Sequence, residues 1–375
     1  MAAPADILES AFRRVSRDIT QPVIADLNIV THIEAICRSI SNRACVRVLL
    51  ACSLAKIHHP AVDIRKPYTE IGDADSYSGR TYDEKYVGPF IIEHNLPCNA
   101  TTAFLTPAFR NRYITLTPDV NLVGRPPELY QMLLQLLADI HTDIVSADDV
   151  LAEAIRWLLI MRDERLLRMK TFLESLQAGT GTIPLSSEAI VTLLEQHLKS
   201  LNSSRLPVLA IAAAYDSASA VLGERLLPLT SHNAADEQTG SLGDVQITLI
   251  DDDNIVTVYE MKTRRVTQSD IDYALQKIDR RIDNYIFITT EEISQQVKDY
   301  AASIYERTGG IECVVLDCIA FIRHFLHLFH RIRMQFLESY QRLLLAEPES
   351  AVRQSLKESF LALRLVAESA HAADE

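Results

Sequence analysis

Glycine is scarce in this chain, with 11 among 375 residues. Enzymes that hold nucleotides or methyl-donor cofactors commonly use glycine-rich loops, whose backbone approaches the cofactor closely. The sequence contains no such loop after an early strand, and it lacks the Asn/Asp-Pro-Pro-aromatic motif of amino-methyltransferases. These absences disfavour ATP-driven enzymes and DNA methyltransferases.

Long apolar runs, paired cysteines and excess positive charge are also missing. No uninterrupted run of about 18 apolar residues occurs and no signal peptide is recognisable, so we expect no membrane association. The six cysteines form no Cys-x-x-Cys pair, which indicates buried thiols in a reducing cytoplasm and not zinc ligands. A net charge of -13 argues against nonspecific coating of nucleic acids, but not against an enzyme with local basic faces.

The segment Gly243 to Lys262 predicts a hairpin of two short strands. It reads GDVQITLIDDDNIVTVYEMK, with apolar residues alternating before an acidic turn and β-branched residues after it. Strand side chains repeat every two residues, so Glu260 and Lys262 share one face of the second strand. Asp244 begins the first strand. The hairpin can therefore place two carboxylates and one ammonium together at the rim of a sheet.

These three groups suit metal-assisted hydrolysis. Two carboxylates are typical protein ligands of Mg²⁺, and a neighbouring lysine can orient or deprotonate a water molecule beside a phosphodiester. The alternative is that Glu-x-Lys is a surface charge contact of little energetic worth, and the spacing alone leaves both interpretations open. Partial matches at Asp83-Glu84-Lys85 and Pro118-Asp119 lie outside a hairpin with a partner acid.

The elements around the hairpin alternate between helices and strands. An apolar helix is predicted at 206–222, and after the hairpin follow a helix at 267–283, a strand at 285–289, a helix to about 307 and a strand at 311–317. Capping boxes are predicted at Thr267–Asp270 and Thr289–Glu292. The predicted fold class is therefore α/β.

This order of elements resembles the PD-(D/E)xK restriction-endonuclease-like core. In that comparison Gly243-Asp244 stands in place of Pro-Asp, and Glu260-Met261-Lys262 is the E-x-K sequence. Because the proline is missing, Asp251 to Asp253 compete with Asp244, although they lie in the turn, too close to Glu260. An additional acid, such as Glu224, Asp236 or Glu237, is also left open.

Two domains are predicted. Residues 1–180 form a mainly helical domain with an irregular loop at 60–126, and residues 181–375 form the nuclease-like core with C-terminal helices. The small, flexible stretch Gln177 to Thr182 marks the boundary.

The loop at 60–126 is polar and aromatic, without helical or strand periodicity, and long loops of this kind are often functional. Basic side chains there are candidates for contacts to DNA phosphates and base edges. They are Arg65, Lys66, Arg80, Lys85, Arg110 and Arg112. The alternative is a surface loop with internally paired charges, because Asp73, Asp75, Asp83 and Glu84 nearly balance these cations.

Two other groups have weaker signals. The spacing of His324, His327 and His330 is compatible with metal binding on a helix, but the apolar stripe beside them favours a helix surface or a subunit contact. On the helix after Lys262, polar and basic side chains can contact phosphate or simply face solvent. They are Gln276, Lys277, Arg280 and Arg281.

Runs in both halves of the chain resemble the SacI-type family of type II restriction endonucleases. They are RKPYTEIGDADSYSGRTYDEKYV, LPCNATTAFLTPAFRNR, HNAADEQTGSLGDVQITL and IRHFLHLFHRIRMQFLESY. The resemblance implies a cytoplasmic, Mg²⁺-dependent endonuclease of a bacterial or archaeal restriction system. It also implies a homodimer that cuts double-stranded DNA at a short palindrome and leaves 5′ phosphates.

The resemblance also implies roles for the hairpin residues. Asp244, Glu260 and Lys262 would be catalytic, Asp244 and Glu260 would hold the metal, and Lys262 would position the attacking water. A cognate DNA methyltransferase would act on the same site without stable binding to this chain. The alternative function is a catalytically inactive, sequence-specific DNA-binding or regulatory protein with the same fold.

Overall fold

The computed structural model describes residues 2–39, 43–98, 102–178, 184–229, 242–252, 254–278 and 282–373. Helices predominate, and a five-stranded mixed sheet lies in the C-terminal half, which confirms the mixed α/β class. The chain divides into two units, Met1–Leu167 and Arg168–Glu375. Most of the predicted linker lies outside the described residues, so the boundary near residue 180 stays a prediction. No described helix combines the length and the apolar character needed to cross a membrane.

The first unit consists of helices and short irregular segments. Its helices are α1 (Pro4–Ser16), α2 (Leu27–Arg38), α3 (Ala44–His58), α4 (Gly79–Tyr82), α5 (Gly88–Glu93), α6 (Pro127–His141) and α7 (Ala147–Ala178), the last of which continues into the second unit. Helix α3 is mostly apolar, and its residues 44–55 are buried on all sides, Arg47 and Ser53 included. A helix without a polar face must be surrounded, so α3 lies at the centre of the core of this unit.

Residues 59–126 connect α3 to α6. The irregular loop predicted for 60–126 is wrong in part, because Gly79–Glu93 is helical throughout, with α4 and α5 joined by a π-helical turn at Asp83–Val87. Buried tyrosine hydroxyls fasten the segment: Tyr68 donates to the carbonyl of Phe109, and Tyr77 donates to that of Ile64. Arg47 of α3 and Asp83 form a fully buried ion pair with Nε and Oδ1 2.5 Å apart. The described residues of this segment are therefore fixed to the core by specific polar contacts.

The second unit contains the sheet and the remaining helices. Its elements are α8 (Ser187–Leu198), α9 (Leu206–Leu222), β1 (Glu224–Leu226), β2 (Val245–Leu249), β3 (Ile255–Lys262), α10 (Gln268–Lys277), β4 (Asn284–Thr289), α11 (Gln295–Thr308), β5 (Glu312–Asp317), α12 (Cys318–Leu328), α13 (Arg333–Ala346) and α14 (Gln354–Ala373). The strand order is β1-β2-β3-β4-β5. The first three strands are antiparallel, and β3, β4 and β5 are parallel.

Each face of the sheet packs on its own apolar cluster. Tyr259 of β3 belongs to a cluster that includes buried residues of α9 and α13, whereas the adjacent Val258 belongs to a second cluster with residues of α10 and α11. This alternation confirms the predicted period of two along β3. The catalytic candidates at the end of β3 are thus carried by a strand that is covered on both faces.

One of the two predicted capping boxes is confirmed. Thr267 and Asp270 cap α10 reciprocally, as the sequence predicts. The capping box at Thr289 is wrong, because Thr289 is still in β4, paired with Asp317 of β5. The following helix begins later, at Gln295, with Ser294 as its cap.

Candidate active site

The predicted catalytic residues converge where the hairpin meets the parallel part of the sheet. Val245 pairs with Tyr259, so Asp244, one residue earlier, lies beside Glu260 in the antiparallel register. On its other side β3 pairs with β4, with Lys262 opposite Thr289. The register therefore brings Asp244, Glu260 and Lys262 to one end of β3.

The position of Asp244 is fixed by the backbone of β3. The N–H of Met261 donates a hydrogen bond to Asp244 Oδ2 at 2.8 Å. The chain reaches Asp244 through Gly243, where an added Cβ would lie 2.5 Å from Val258 Cγ1 and 2.8 Å from the Tyr259 carbonyl oxygen. Such contacts are too short for any side chain, so this close approach requires glycine at the position before Asp244.

Glu260 and Lys262 are in direct contact. Lys262 Nζ donates to Glu260 Oε1 at 2.7 Å, and the two side chains are only 24% and 16% exposed, Lys262 being the more exposed. Burial raises the pKa of the Glu260 carboxyl, and the charge of Asp244 raises it further, while Lys262 and Lys277 act in the opposite direction. Ionised Glu260 is thus an energetically costly charge that a cation at this position would stabilise.

This donor set fits Mg²⁺. Asp244 and Glu260 offer carboxylate oxygens side by side, and Mg²⁺ is usually held by one or two protein carboxylates together with water and substrate oxygens. Because burial and Asp244 raise the pKa of Glu260, additional positive charge nearby would stabilise its ionised form. The observed arrangement therefore offers the hard ligands that such a site requires, with two carboxylates beside one lysine.

The other acids proposed near the hairpin lie elsewhere or cannot be placed. Asp251 and Asp252 follow the far end of β2. At the rise per residue of a strand, that end of β2 lies about 16 Å from Asp244. Glu224 pairs with Leu249 and lies at the same distant end. Asp253, Asp236 and Glu237 are outside the described residues. Asp244 is the acid of these that the described structure places beside Glu260.

The basic side chains of the segment 59–126 are largely paired within it. The observed ion pairs are Arg65 with Asp63, Lys66 with Asp73 and Asp75, Arg80 with Glu84, and Arg112 with Glu70. Lys85 lies over the Tyr86 ring at 5.3 Å, and Arg110 is exposed. Neither Lys85 nor Arg110 has a carboxylate partner among the contacts of the described residues. Of the candidate DNA contacts, these two cations are the most available to a phosphate.

The histidines after β5 do not form a metal site among the described residues. His327 is 58% exposed and lies 2.8 Å from Glu188 of α8, together with Arg323. This is a helix surface contact, as the apolar stripe beside the histidines predicts. On α10, the ammonium of Lys277 lies over the Tyr273 ring at 4.5 Å, and Arg280 and Arg281 lie outside the described residues.

Sequence reasoning missed one cluster of potential metal ligands. Glu9, Glu93 and His94 have their ligand atoms within 4.8 Å of one another, the one group of three or more such side chains found in the described part of the chain. Glu9 and His94 are far apart in the sequence, and neither lies in a recognisable motif. No local pattern could have indicated this cluster.

Comparison with known proteins identifies no family. No protein-family model matches the sequence, and no curated protein matches it either. A function for this chain therefore has to be inferred from the residues of the site and the topology that places them.

Proposed function

We propose that this chain is a Mg²⁺-dependent, site-specific endonuclease that hydrolyses phosphodiester bonds in double-stranded DNA. The observation that carries the proposal is the convergence of Asp244, Glu260 and Lys262 at one end of β3. The order of elements from α9 to β5, with an antiparallel hairpin followed by parallel strands, supports it because PD-(D/E)xK nucleases are expected to have this order.

Asp244 and Glu260 would bind the metal, and their side chains are already held in position before it binds. Asp244 is oriented by the Met261 N–H, and Glu260 is oriented by Lys262, so neither carboxylate needs to be ordered when a cation arrives. Bound Mg²⁺ would supply positive charge to stabilise the charge that develops on the phosphodiester.

Lys262 is the residue that would act on the water. Its ammonium is held within reach of Glu260, on the same face of β3, and can orient a water molecule for attack on phosphorus. Attack forms a phosphorus–oxygen bond from the water and breaks the bond to the 3′ oxygen, which leaves as an alcohol. The products would be a 3′ hydroxyl and a 5′ phosphate.

The remaining parts of the proposal follow the resemblance to type II restriction endonucleases. Two copies in a homodimer would cut both strands of a short palindrome, in the cytoplasm, at a site that a cognate methyltransferase protects. Lys85 and Arg110 are the first candidates for phosphate contacts, because the other four candidate cations, Arg65, Lys66, Arg80 and Arg112, are engaged by carboxylates.

The test is digestion of a long, sequence-diverse, unmethylated DNA with and without Mg²⁺. Wild type, Glu260→Gln and Lys262→Ala are compared with two controls, Glu312→Gln and Lys298→Ala, which change exposed residues of β5 and α11. Discrete Mg²⁺-dependent fragments are expected from the wild type and both controls, and none from the two site variants.

Sequencing the fragment ends would identify the target. Absence of cleavage by the wild type, with DNA still retained in a binding assay, would refute the enzymatic proposal. That result would favour the alternative of a DNA-binding protein without catalysis.

A further inference from the structure

Three potential metal ligands meet in the first unit, on elements that are distant in sequence. Glu9 lies on α1, Glu93 is the last residue of α5, and His94 follows it. Their ligand atoms lie within 4.8 Å of one another, and His94 Nε2 is 2.7 Å from Glu9 Oε1. One imidazole and two carboxylates thus point to a common place between the two helices.

The imidazole of His94 is held in a fixed orientation. Its ring stacks on Phe12 with centroids 3.9 Å apart, and it also contacts Phe90 at 4.7 Å. The backbone N–H of His94 donates to the Phe90 carbonyl, and its own carbonyl accepts from Arg162. Metal-binding histidines function best when their surroundings fix the ring, so His94 has the support that a ligand needs.

The charge at this place is not balanced by the observed contacts. Glu9 contacts His94, but the carboxylate of Glu93 has no ion pair or hydrogen bond among the contacts of the described residues. Two cations lie nearby: Arg13 donates to the backbone carbonyl of Glu9, and Arg162 pairs with Asp163. Neither guanidinium contacts the carboxylate of Glu9 or Glu93 among the described residues. The two carboxylates, whose ligand atoms lie within 4.8 Å of each other, therefore have His94 as their one direct ion-pair partner among the described contacts.

We propose that Glu9, Glu93 and His94 form a site for one divalent transition-metal ion, of which Zn²⁺ is the most suitable. A mixed set of imidazole nitrogen and carboxylate oxygens suits Zn²⁺ and similar ions, whereas Mg²⁺ prefers oxygen ligands alone. Three protein ligands leave coordination positions for water. The ion would link α1 to the end of α5 and stabilise the first unit.

This site is separate from the proposed catalytic site, so the two proposals can be tested independently. Zn²⁺ binding is measured by calorimetry on the full-length wild type, on Glu260→Gln to remove the other carboxylate site, and on Glu93→Gln. Glu93 is exposed, so its substitution should leave the fold intact. The matched control is Glu128→Gln, an exposed glutamate in the first turn of α6.

One Zn²⁺ per chain is expected to bind to the wild type, to Glu260→Gln and to Glu128→Gln with the same affinity. Glu93→Gln should bind roughly tenfold more weakly or worse, since even the loss of a residue that only supports a ligand costs tenfold or more. Zn²⁺ should also raise the unfolding temperature of the wild type and not that of Glu93→Gln. Equal affinity of wild type and Glu93→Gln, or no Zn²⁺ binding by the wild type, would overturn the proposal.

Discussion

The backbone N–H of Met261 donates to Oδ2 of Asp244 at 2.8 Å, which ties the acid that precedes β2 to the middle of the Glu260-Met261-Lys262 sequence. The two acids are thus positioned by a single strand pairing and not by separate loops. Any change in the register between β2 and β3 would separate them. This hydrogen bond gives Asp244 a structural role, in addition to the role in metal binding that is proposed for its carboxylate.

Asp244→Asn is expected to keep the fold and lose DNA cleavage. An asparagine oxygen can still accept from the Met261 N–H, but it carries no negative charge for a metal ion. Asp244→Ala removes the acceptor too, and should be about 1 kcal/mol less stable than Asp244→Asn. Urea unfolding and Mg²⁺-dependent digestion measure the two effects. Cleavage by Asp244→Asn at the wild-type rate would show that Asp244 is not a metal ligand.

Gly243→Ala should destabilise the hairpin and reduce cleavage. The new methyl group would lie 2.5 Å from Val258 Cγ1 and 2.8 Å from the Tyr259 carbonyl oxygen. Overpacking of this kind costs about 1–3 kcal/mol. In Gly243→Ala/Val258→Ala one of the clashing atoms is gone, so the double variant should be more stable than the sum of the two single effects. If the free energies of unfolding measured in urea show that the effects of the two single substitutions simply add in the double variant, Gly243→Ala does not clash directly with Val258.

Glu260→Gln should be more stable than the wild type at pH 7.5 in the presence of EDTA. Burial and Asp244 raise the pKa of Glu260 in the folded state, so its ionisation opposes folding. A carboxyl group whose pKa is raised in the folded state favours folding at low pH, and this contribution is lost as the pH rises through the raised pKa. The advantage of Glu260→Gln should therefore disappear towards pH 4. Urea midpoints across this range test it, with Glu312→Gln as the control.

His197 should make the second unit sensitive to acid. Its ring is fully buried, with Nδ1 3.0 Å from the Tyr340 hydroxyl and Nε2 3.0 Å from the Leu356 carbonyl oxygen. Because a carbonyl only accepts, Nε2 carries the proton and Nδ1 accepts from Tyr340. Burial lowers the pKa of His197 from 6.5 to about 4.

The neutral ring stabilises the fold above the unfolded pKa of 6.5, and this contribution, about 3 kcal/mol, is lost as the pH falls to about 4. His197→Gln cannot titrate, so its deficit in urea unfolding should be largest at pH 7 and should narrow towards pH 4. Parallel stability curves for the two proteins would exclude this role for His197.

Features that depend on residues close together in the sequence were predictable, whereas contacts between residues distant in the sequence were not. The hairpin at 243–262 and the apolar helix α9 follow from periodicity, and the Thr267 cap follows from residue types three apart. At Thr289 the same capping pattern failed because pairing with β5 extends β4 through that residue. The meeting of Glu9 with His94 depends on how α1 packs, which no local pattern specifies.

The ion pairs in the segment 59–126 predict that its arginines contribute unequally to DNA binding. The guanidinium of Arg112 is held by Glu70 at 2.9 Å, whereas Arg110 is exposed without a carboxylate partner among the contacts of the described residues. A cation that is already paired gains less from a DNA phosphate, because it must give up its partner. Arg110→Gln should therefore weaken DNA binding and lower the slope of log affinity against log salt by about 1.

Arg112→Gln is the matched control, since it removes the same charge two residues away. It should change affinity and salt slope less than Arg110→Gln does. Both are measured by fluorescence anisotropy on a DNA duplex at several salt concentrations, in the Glu260→Gln background with EDTA to prevent cleavage. An effect of Arg112→Gln as large as that of Arg110→Gln would mean that the ion pair with Glu70 opens on binding, and that paired cations of this segment also contact DNA.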